Sequence, residues 1–333
     1  MTALPLALSM GEPSGIGGEI ALKAWMRRHE GLSPFFVLDD PARLQSIAST
    51  LGWQTPIQVV QTPQAALDCF DQALPVVPLS ARVESKPGHP DVLNAKAVIE
   101  SISRAVEMVV AGQAAALVTN PIHKAVLKAA GFAHPGHTEF LAELAGNAQP
   151  VMMLTANGLR VVPVTIHMPL KDVPGRLSQE TILHQGRILS NALKCYFSLP
   201  EPRIAVTGIN PHAGEDGVLG REEIDIIRPA IEALLQEGVN AFGPLPADTL
   251  FHAEARAGYD AVMCMYHDQA LIPVKILGFW EGVNVTLGLP FIRTSPDHGT
   301  ALALAGTGKA DPGSLMAALK MAAQMANAHA AAA

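Results

Sequence analysis

Cysteines, aromatic rings and charged groups are all scarce in this chain. Its 333 residues include three cysteines, Cys69, Cys195 and Cys264, widely spaced and without a C-x-x-C pair. That excludes a disulfide framework and a zinc–thiolate knuckle, and it fits reduced thiols in a cytoplasmic protein. Aromatic residues make up 5%, with three Trp and three Tyr, too few to stack the bases of a single-stranded nucleic acid. The 23 Lys and Arg are outnumbered by 30 Asp and Glu, for a formal charge of -7, and no basic cluster stands out. A binder of nucleic-acid backbone is therefore not expected. A bound phosphate would sit on a small molecule, held by a few placed cations. Long apolar runs are missing as well: nothing approaches the about 18 residues of a membrane span. Met1 to Met10 is apolar but has no basic flank and is cut by Pro5, so it reads as a first strand rather than a signal peptide.

What is present is apolar substance. Hydrophobic residues are 49% and charged ones 16%, which excludes disorder. The length suits about two domains, with core enough to fold without disulfides or structural metal. Residues 4–10, 35–38, 57–60 and 115–119 are short apolar runs that read as buried strands. Residues 95–111 repeat apolar side chains every three or four positions and read as a helix. Residues 151–154 and 161–166 flank Asn157-Gly158, a hairpin signal. Helices are expected over 179–197 and 222–238, strands over 203–209, 261–266 and 283–287, and an Ala- and Met-rich helix from Pro312. Alternating strands and helices predict an α/β fold, and the hairpin makes its sheet mixed.

Five features carry chemistry. Gly11-Glu12-Pro13-Ser14-Gly15-Ile16-Gly17-Gly18 follows a strand and opens a helix, with Asp39-Asp40 at the end of the next strand. This imitates a dinucleotide fingerprint, but Ile20 stands where Gly or Ala should, so a tight turn or a cleft-lining loop reads equally well. Three histidines follow strands: His167, His212 and His267. Ligands in α/β sheets bind beyond the carboxyl ends of strands, where three imidazoles suit a divalent metal and Asp248 or Asp268 suits acid–base work. A loop-capping role for each histidine is the alternative. In Pro135-Gly136-His137-Thr138-Glu139, Thr138 is expected to cap a helix and leave N–H groups for an anion. Lys275, Asn284 and Arg293 form a spaced set suited to a phosphate monoester. Asp297-His298-Gly299-Thr300, with Gly306, Thr307, Gly308 and Lys309 after it, can wrap an adenosine or phosphate, or simply end a helix.

These residues together resemble the 4-hydroxythreonine-4-phosphate dehydrogenases, the PdxA family. The likeness runs nearly end to end, through the Gly11–Gly17 block, Pro121-Ile122-His123-Lys124, Gly136-His137-Thr138-Glu139-Phe140 and Asn210-Pro211-His212-Ala213-Gly214-Glu215. It continues through Ala247-Asp248-Thr249, Tyr266-His267-Asp268-Gln269, the stretch from Asn284 to Ser295, and Asp297-His298-Gly299-Thr300. The resemblance implies the fold of the isocitrate and isopropylmalate dehydrogenases: two α/β/α domains sharing a mixed sheet around a central cleft. It implies a first domain of residues 1–129 plus 276–333 on the nucleotide side, and an inserted domain of 130–275 on the metal and dimer side. It also implies a homodimer with a shared active site. His167, His212 and His267 are then the ligands of one divalent metal, and His137, Thr138, Lys275, Asn284 and Arg293 contact substrate. Asp248, Asp268 and Lys275 are the candidate proton-transfer groups. Asp297, Gly299, Thr300, Gly306 and Lys309 belong to the loop for NAD or NADP. Thr119-Asn120 and Ala270 depart from the family pattern, at positions that remove no ligand.

The implied reaction is metal-dependent, NAD(P)-linked oxidation of 4-phosphooxy-L-threonine to 2-amino-3-oxo-4-phosphooxybutanoate, which loses CO2 to give 3-amino-2-oxopropyl phosphate in pyridoxal phosphate biosynthesis. Relatives act on threonate or erythronate 4-phosphates or on a terephthalate dihydrodiol, and these are the alternative substrates. A metal-dependent hydrolase or lyase, or a phosphate-ligand binding protein, are the competing classes. Zn, Co or Ni suits three imidazoles, and Mg or Mn suits added substrate oxygens. No membrane or nucleic-acid partner is expected.

Overall fold

The computed structural model describes residues 4–332. Met1–Ala3 of the expected first strand and Ala333 of the tail lie outside the described residues. Twelve strands form: β1 (Leu6–Ser9), β2 (Phe35–Asp39), β3 (Ile57–Val59), β4 (Leu74–Pro78), β5 (Leu117–Thr119), β6 (Val151–Ala156), β7 (Leu159–Pro163), β8 (Ile204–Thr207), β9 (Ala241–Leu245), β10 (Ala261–Cys264), β11 (Val283–Leu287) and β12 (Arg293–Pro296). The chain divides into two compact units. One runs to Pro150 and resumes over Leu289–Ala326; the other is Val151–Gly288 with the residues from Asn327.

The first unit orders its strands β3-β4-β2-β1-β5-β12, every neighbouring pair parallel. Parallel strands are covered on both faces, which is why β1 and β2 are apolar up to their last residues, Ser9 and Asp39, and fully buried. The helix Ala95–Val110 lays Val98, Ile102 and Val106 into that core. Ser101 staples it in place: its hydroxyl donates to the Leu38 carbonyl at 2.8 Å and accepts from the Met10 N–H at 3.0 Å. Residues 130–150 also pack here, because Phe140 and Leu141 join the same core.

The second unit orders its strands β11-β6-β7-β10-β8-β9. The β11–β6 and β6–β7 pairs are antiparallel and the rest parallel, so this sheet is mixed. Asn157 and Gly158 turn the β6–β7 hairpin with φ of +47° and +79°, the left-handed pair that a two-residue turn requires. Ser178 caps the helix Gln179–Phe197 by accepting from the Thr181 N–H. The helix expected over 222–238 is broken in two: a π-turn over Glu223–Ile227, then Arg228–Gln236. Pro229 has no N–H for the α-helical ladder, and the break falls beside it. No helix among the described residues is long and apolar enough to cross a membrane.

Candidate active site

In the second unit, strands end earlier than the apolar runs suggest. Beyond β7 and β10 the chains stay zipped: Val164 N–H donates to the Cys264 carbonyl at 2.7 Å, and the Thr165 hydroxyl to the Met265 carbonyl at 2.7 Å. That zip brings His167 and His267 together, ring centres 5.8 Å apart. Both line a cavity of about 440 Å3 with Tyr266, Asp268 and the 165–170 loop. His267 heads the helix His267–Gly278, and its Nδ1 lies 2.7 Å from the Asp268 carboxylate. Gln269 stitches the neighbouring strand end. Its carbonyl accepts from the Thr207 hydroxyl and the Met265 N–H, and its amide donates to the Gly208 carbonyl.

His212 stands on a more unusual support. Residues 212–216 all have φ between +43° and +82°. Such a left-handed run costs about 1–2 kcal/mol per non-glycine residue. The buried Glu223 holds it, accepting from the Ile209 and Asn210 N–H groups at 2.8 Å and from the Asn210 amide at 2.9 Å. His212 Nδ1 lies 2.5 Å from Glu215 Oε1. That hydrogen bond and the Glu215 charge, with Asp248 adding, raise the imidazole above its usual range. Asp248 and Asp268 are exposed. Lys275 lies over the Phe279 ring at 5.3 Å, and Asn284 is half-buried on β11.

The structure thus unites His167 with His267, and His212 with Glu215 and the field of Asp248. Among the described residues, no group of three His, Cys, Asp or Glu side chains stands close enough to hold a metal ion. The donor chemistry of the histidines nonetheless fits one. A carboxylate at Nδ1 of both His212 and His267 favours the tautomer whose Nε2 lone pair faces outward, the usual support of a metal-binding imidazole.

The first unit holds Arg293 and His137. Arg293 is 4% exposed at the start of β12, and its Nε and Nη2 donate to the Thr119 hydroxyl at 3.2 and 2.7 Å. Burial lowers its pKa to about 10. His137 opens the helix His137–Leu144, with Gly136 rather than Thr138 at the capping position and no side-chain cap. Its Nε2 is buried and without a hydrogen-bond partner among the described residues. Burial, then the charges of Arg293 and Lys124, push His137 well below its usual range, so the ring is neutral.

The glycine motif serves packing. Gly11 has φ +71°, and a Cβ there would lie 2.7 Å from the Asn120 Cβ. A Cβ on Gly15 would lie 2.8 Å from the Thr300 carbonyl, which accepts the Ile16 N–H. Asp39 does not wait for a ribose: fully buried, it pairs with Arg43 at 2.6 Å. The dinucleotide-fingerprint reading of this turn falls with it. Asp40 instead caps the helix Pro41–Thr50. The 297–310 loop is clamped from the helix Gly17–Met26. Buried Glu19 accepts the Gly306 and Gly308 N–H groups, and Lys23 donates to the Gly308 and Ala310 carbonyls at 2.6 Å. Gly15, Glu19, Asp40, Arg82, Glu84 and Gly306 are among the residues around a cavity of about 490 Å3. Of the expected loop residues, Asp297 N–H donates to Ser314, Lys309 N–H to Thr307, and Gly299 is exposed. Glu19, Glu223 and Gln269 escaped the sequence reading because each braces backbone in another element and so leaves no local pattern.

Residues 31–322 match the family described as pyridoxal phosphate biosynthetic protein PdxA. A 4-hydroxythreonine-4-phosphate dehydrogenase of Bradyrhizobium diazoefficiens is 54% identical, covering 97% of each chain. The crystal structure of the 4-hydroxythreonine-4-phosphate dehydrogenase from Klebsiella pneumoniae is similar at a TM-score of 0.89 and 37% identity, covering 98% of each chain. A terephthalate 1,2-cis-dihydrodiol dehydrogenase from Burkholderia xenovorans is similar at 0.67 and 29%, covering 97% of this chain and 98% of that one.

Proposed function

The chain belongs to the PdxA family of pyridoxal phosphate biosynthesis, and from that membership we propose that it is a 4-hydroxythreonine-4-phosphate dehydrogenase. The reaction is oxidation of the C3 hydroxyl of 4-phosphooxy-L-threonine with NAD+ or NADP+, followed by loss of CO2 from the β-keto acid. One observation carries the phosphorylated substrate: the buried Arg293 guanidinium beside neutral His137 at an uncapped helix start. A buried cation, a neutral N–H donor and free backbone N–H groups together suit a phosphate monoester.

His167, His212 and His267 would hold one divalent metal, which supplies Lewis-acid polarisation of the hydroxyl. NAD(P)+ supplies the hydride acceptor, with Asp297, Gly299, Thr300, Gly306 and Lys309 as its loop. The remaining work belongs to this chain's side chains. Arg293, His137 and Thr138 would orient the substrate through its phosphate, with Lys275 and Asn284 as further substrate contacts. Asp268 beside His267 and Asp248 in the field of His212 are, with Lys275, the groups that would take the hydroxyl proton.

A second copy of the chain supports the reading. Among the described residues, the three histidines do not close a metal site. The same unit exposes a large apolar patch, with Ile276 78%, Trp280 68% and Phe279 61% exposed. A homodimer that covers this patch and pools the histidines accounts for both. The test is an absorbance assay at about 340 nm with 4-phosphooxy-L-threonine, NAD+ or NADP+, and a metal panel. Metal-dependent reduction of the nucleotide is expected, lost in His212→Ala. Activity that survives exhaustive chelation would sink the metal assignment, and a redox-neutral reaction would sink the dehydrogenase. Mixing inactive His212→Ala and His267→Ala subunits should restore part of the activity, and no recovery would argue against shared sites.

A further inference from the structure

We infer that Lys124 is a phosphate-binding residue of this site, completing a cationic corner with Arg293 and His137. The inference rests on the proposed reading of a phosphorylated substrate. Three observations carry it. First, Lys124 reaches the helix start that His137 opens: a Cβ on Gly136 would lie 3.1 Å from Lys124 Cε and 3.2 Å from its Nζ. Only a glycine at the capping position leaves this space, and its extended backbone carries no strain. Second, among the described residues no hydrogen bond or ion pair occupies the Lys124 ammonium. Its charge falls instead on His137, together with that of Arg293. Third, His137 Nε2 is a buried polar atom without a partner in the same corner.

Two cations that depress one imidazole, and an imidazole nitrogen left unpaired, describe a site built for an anion. Unliganded, the corner is electrostatically uncomfortable. A phosphate dianion relieves it at every point: it pairs with Arg293 and Lys124, and accepts from His137 and from the helix N–H groups. The Glu139 carboxylate also lies 3.2 Å from the Gly136 Cβ position and offsets part of the Lys124 field.

The experiment compares wild type, Lys124→Met and Lys124→Arg in steady-state turnover and in calorimetric titration with inorganic phosphate. Lys124 is exposed, so the variants should fold with unchanged melting curves. For Lys124→Met, KM for the phosphorylated substrate and Kd for phosphate should rise roughly 10- to 100-fold, the worth of one hydrogen bond to a charged group, with kcat within about twofold. Lys124→Arg should restore most of both. The effect should shrink at high salt. An unchanged KM and phosphate affinity in Lys124→Met, with normal wild-type turnover, overturns the inference alone. If wild type does not oxidise the phosphorylated substrate, the family reading fails instead, and the phosphate titration still decides for or against Lys124.

Discussion

Replacing Arg43 by Met should leave one carboxylate stranded in the core of the first unit. Asp39 is fully buried, its partner is 6% exposed, and their 2.6 Å contact is the ion pair Asp39 makes. Arg43 also donates to the Pro13 carbonyl at 2.7 Å. Without the guanidinium, Asp39 stays charged or takes a proton, and protonation caps the cost. From an unfolded value near 3.9, that cap is about 5 kcal/mol near pH 7.5 and about 1.5 kcal/mol near pH 5. The lost bond to Pro13 adds about 1 kcal/mol. A loss of about 4 kcal/mol is therefore expected near pH 7.5, a large share of the about 5–15 kcal/mol that holds a domain folded. The sign with pH follows. Burial already raises the Asp39 carboxyl, and losing Arg43 raises it further, so the folded variant binds a proton that the unfolded chain releases. Its deficit against wild type should shrink as pH falls from about 7.5 to about 5. Urea melts followed by circular dichroism measure this, with Asp39→Asn/Arg43→Met as the control that recovers most of the loss. A deficit below about 1 kcal/mol, or one that grows toward acid, would refute the reasoning.

Three further expectations are open to test. Glu19→Gln weakens the clamp on Gly306 and Gly308, and should raise KM for the dinucleotide about 5- to 10-fold with little change in kcat; equal KM values would detach this loop from the nucleotide. His137 is held neutral in the fold while the unfolded chain protonates near pH 6.5, so stability should fall as pH drops below about 6.5, by up to about 1.4 kcal/mol per unit. His137→Asn should remove that part of the slope, and parallel slopes would contradict the assignment. Arg293→Met should cost roughly 10- to 100-fold in kcat/KM on the phosphorylated substrate and far less on its dephospho analogue, and equal losses would remove its phosphate role.

Much of the architecture was readable because apolar pattern and tertiary burial agree. The helix Gln179–Phe197 and strand β11 fall where their patterns place them, and Ala95–Val110 stops one residue short of its expected end. Three strands were missed for identifiable reasons. Pro75 and Pro78 flank the two valines of β4, and Gly243-Pro244 interrupts β9; both pairs read as turns. β12, Arg-Thr-Ser-Pro, reads as polar surface yet is buried, because Arg293 finds Thr119 and Thr294 donates to the Ala318 carbonyl. The site was legible to the same degree. Strand-end histidines announce themselves through local pattern. Glu19 does not, since its partners lie 287 and 289 residues on. Gln269 and Glu223 are equally silent, because side chains that brace backbone across a fold leave no periodic trace.

The discontinuity of the first unit has a consequence for synthesis. β12 closes onto β5, and Arg293 reaches Thr119 across 174 residues of sequence. At about 5–20 residues per second, a ribosome needs roughly 10–35 s to bridge that interval. During it β5 has one sheet neighbour and an unpaired edge, while residues 151–288 of the second unit emerge with all six of its strands. The sheet begun first is thus closed after the strands of the second unit are made, and nascent chains are most exposed to misassembly in that window.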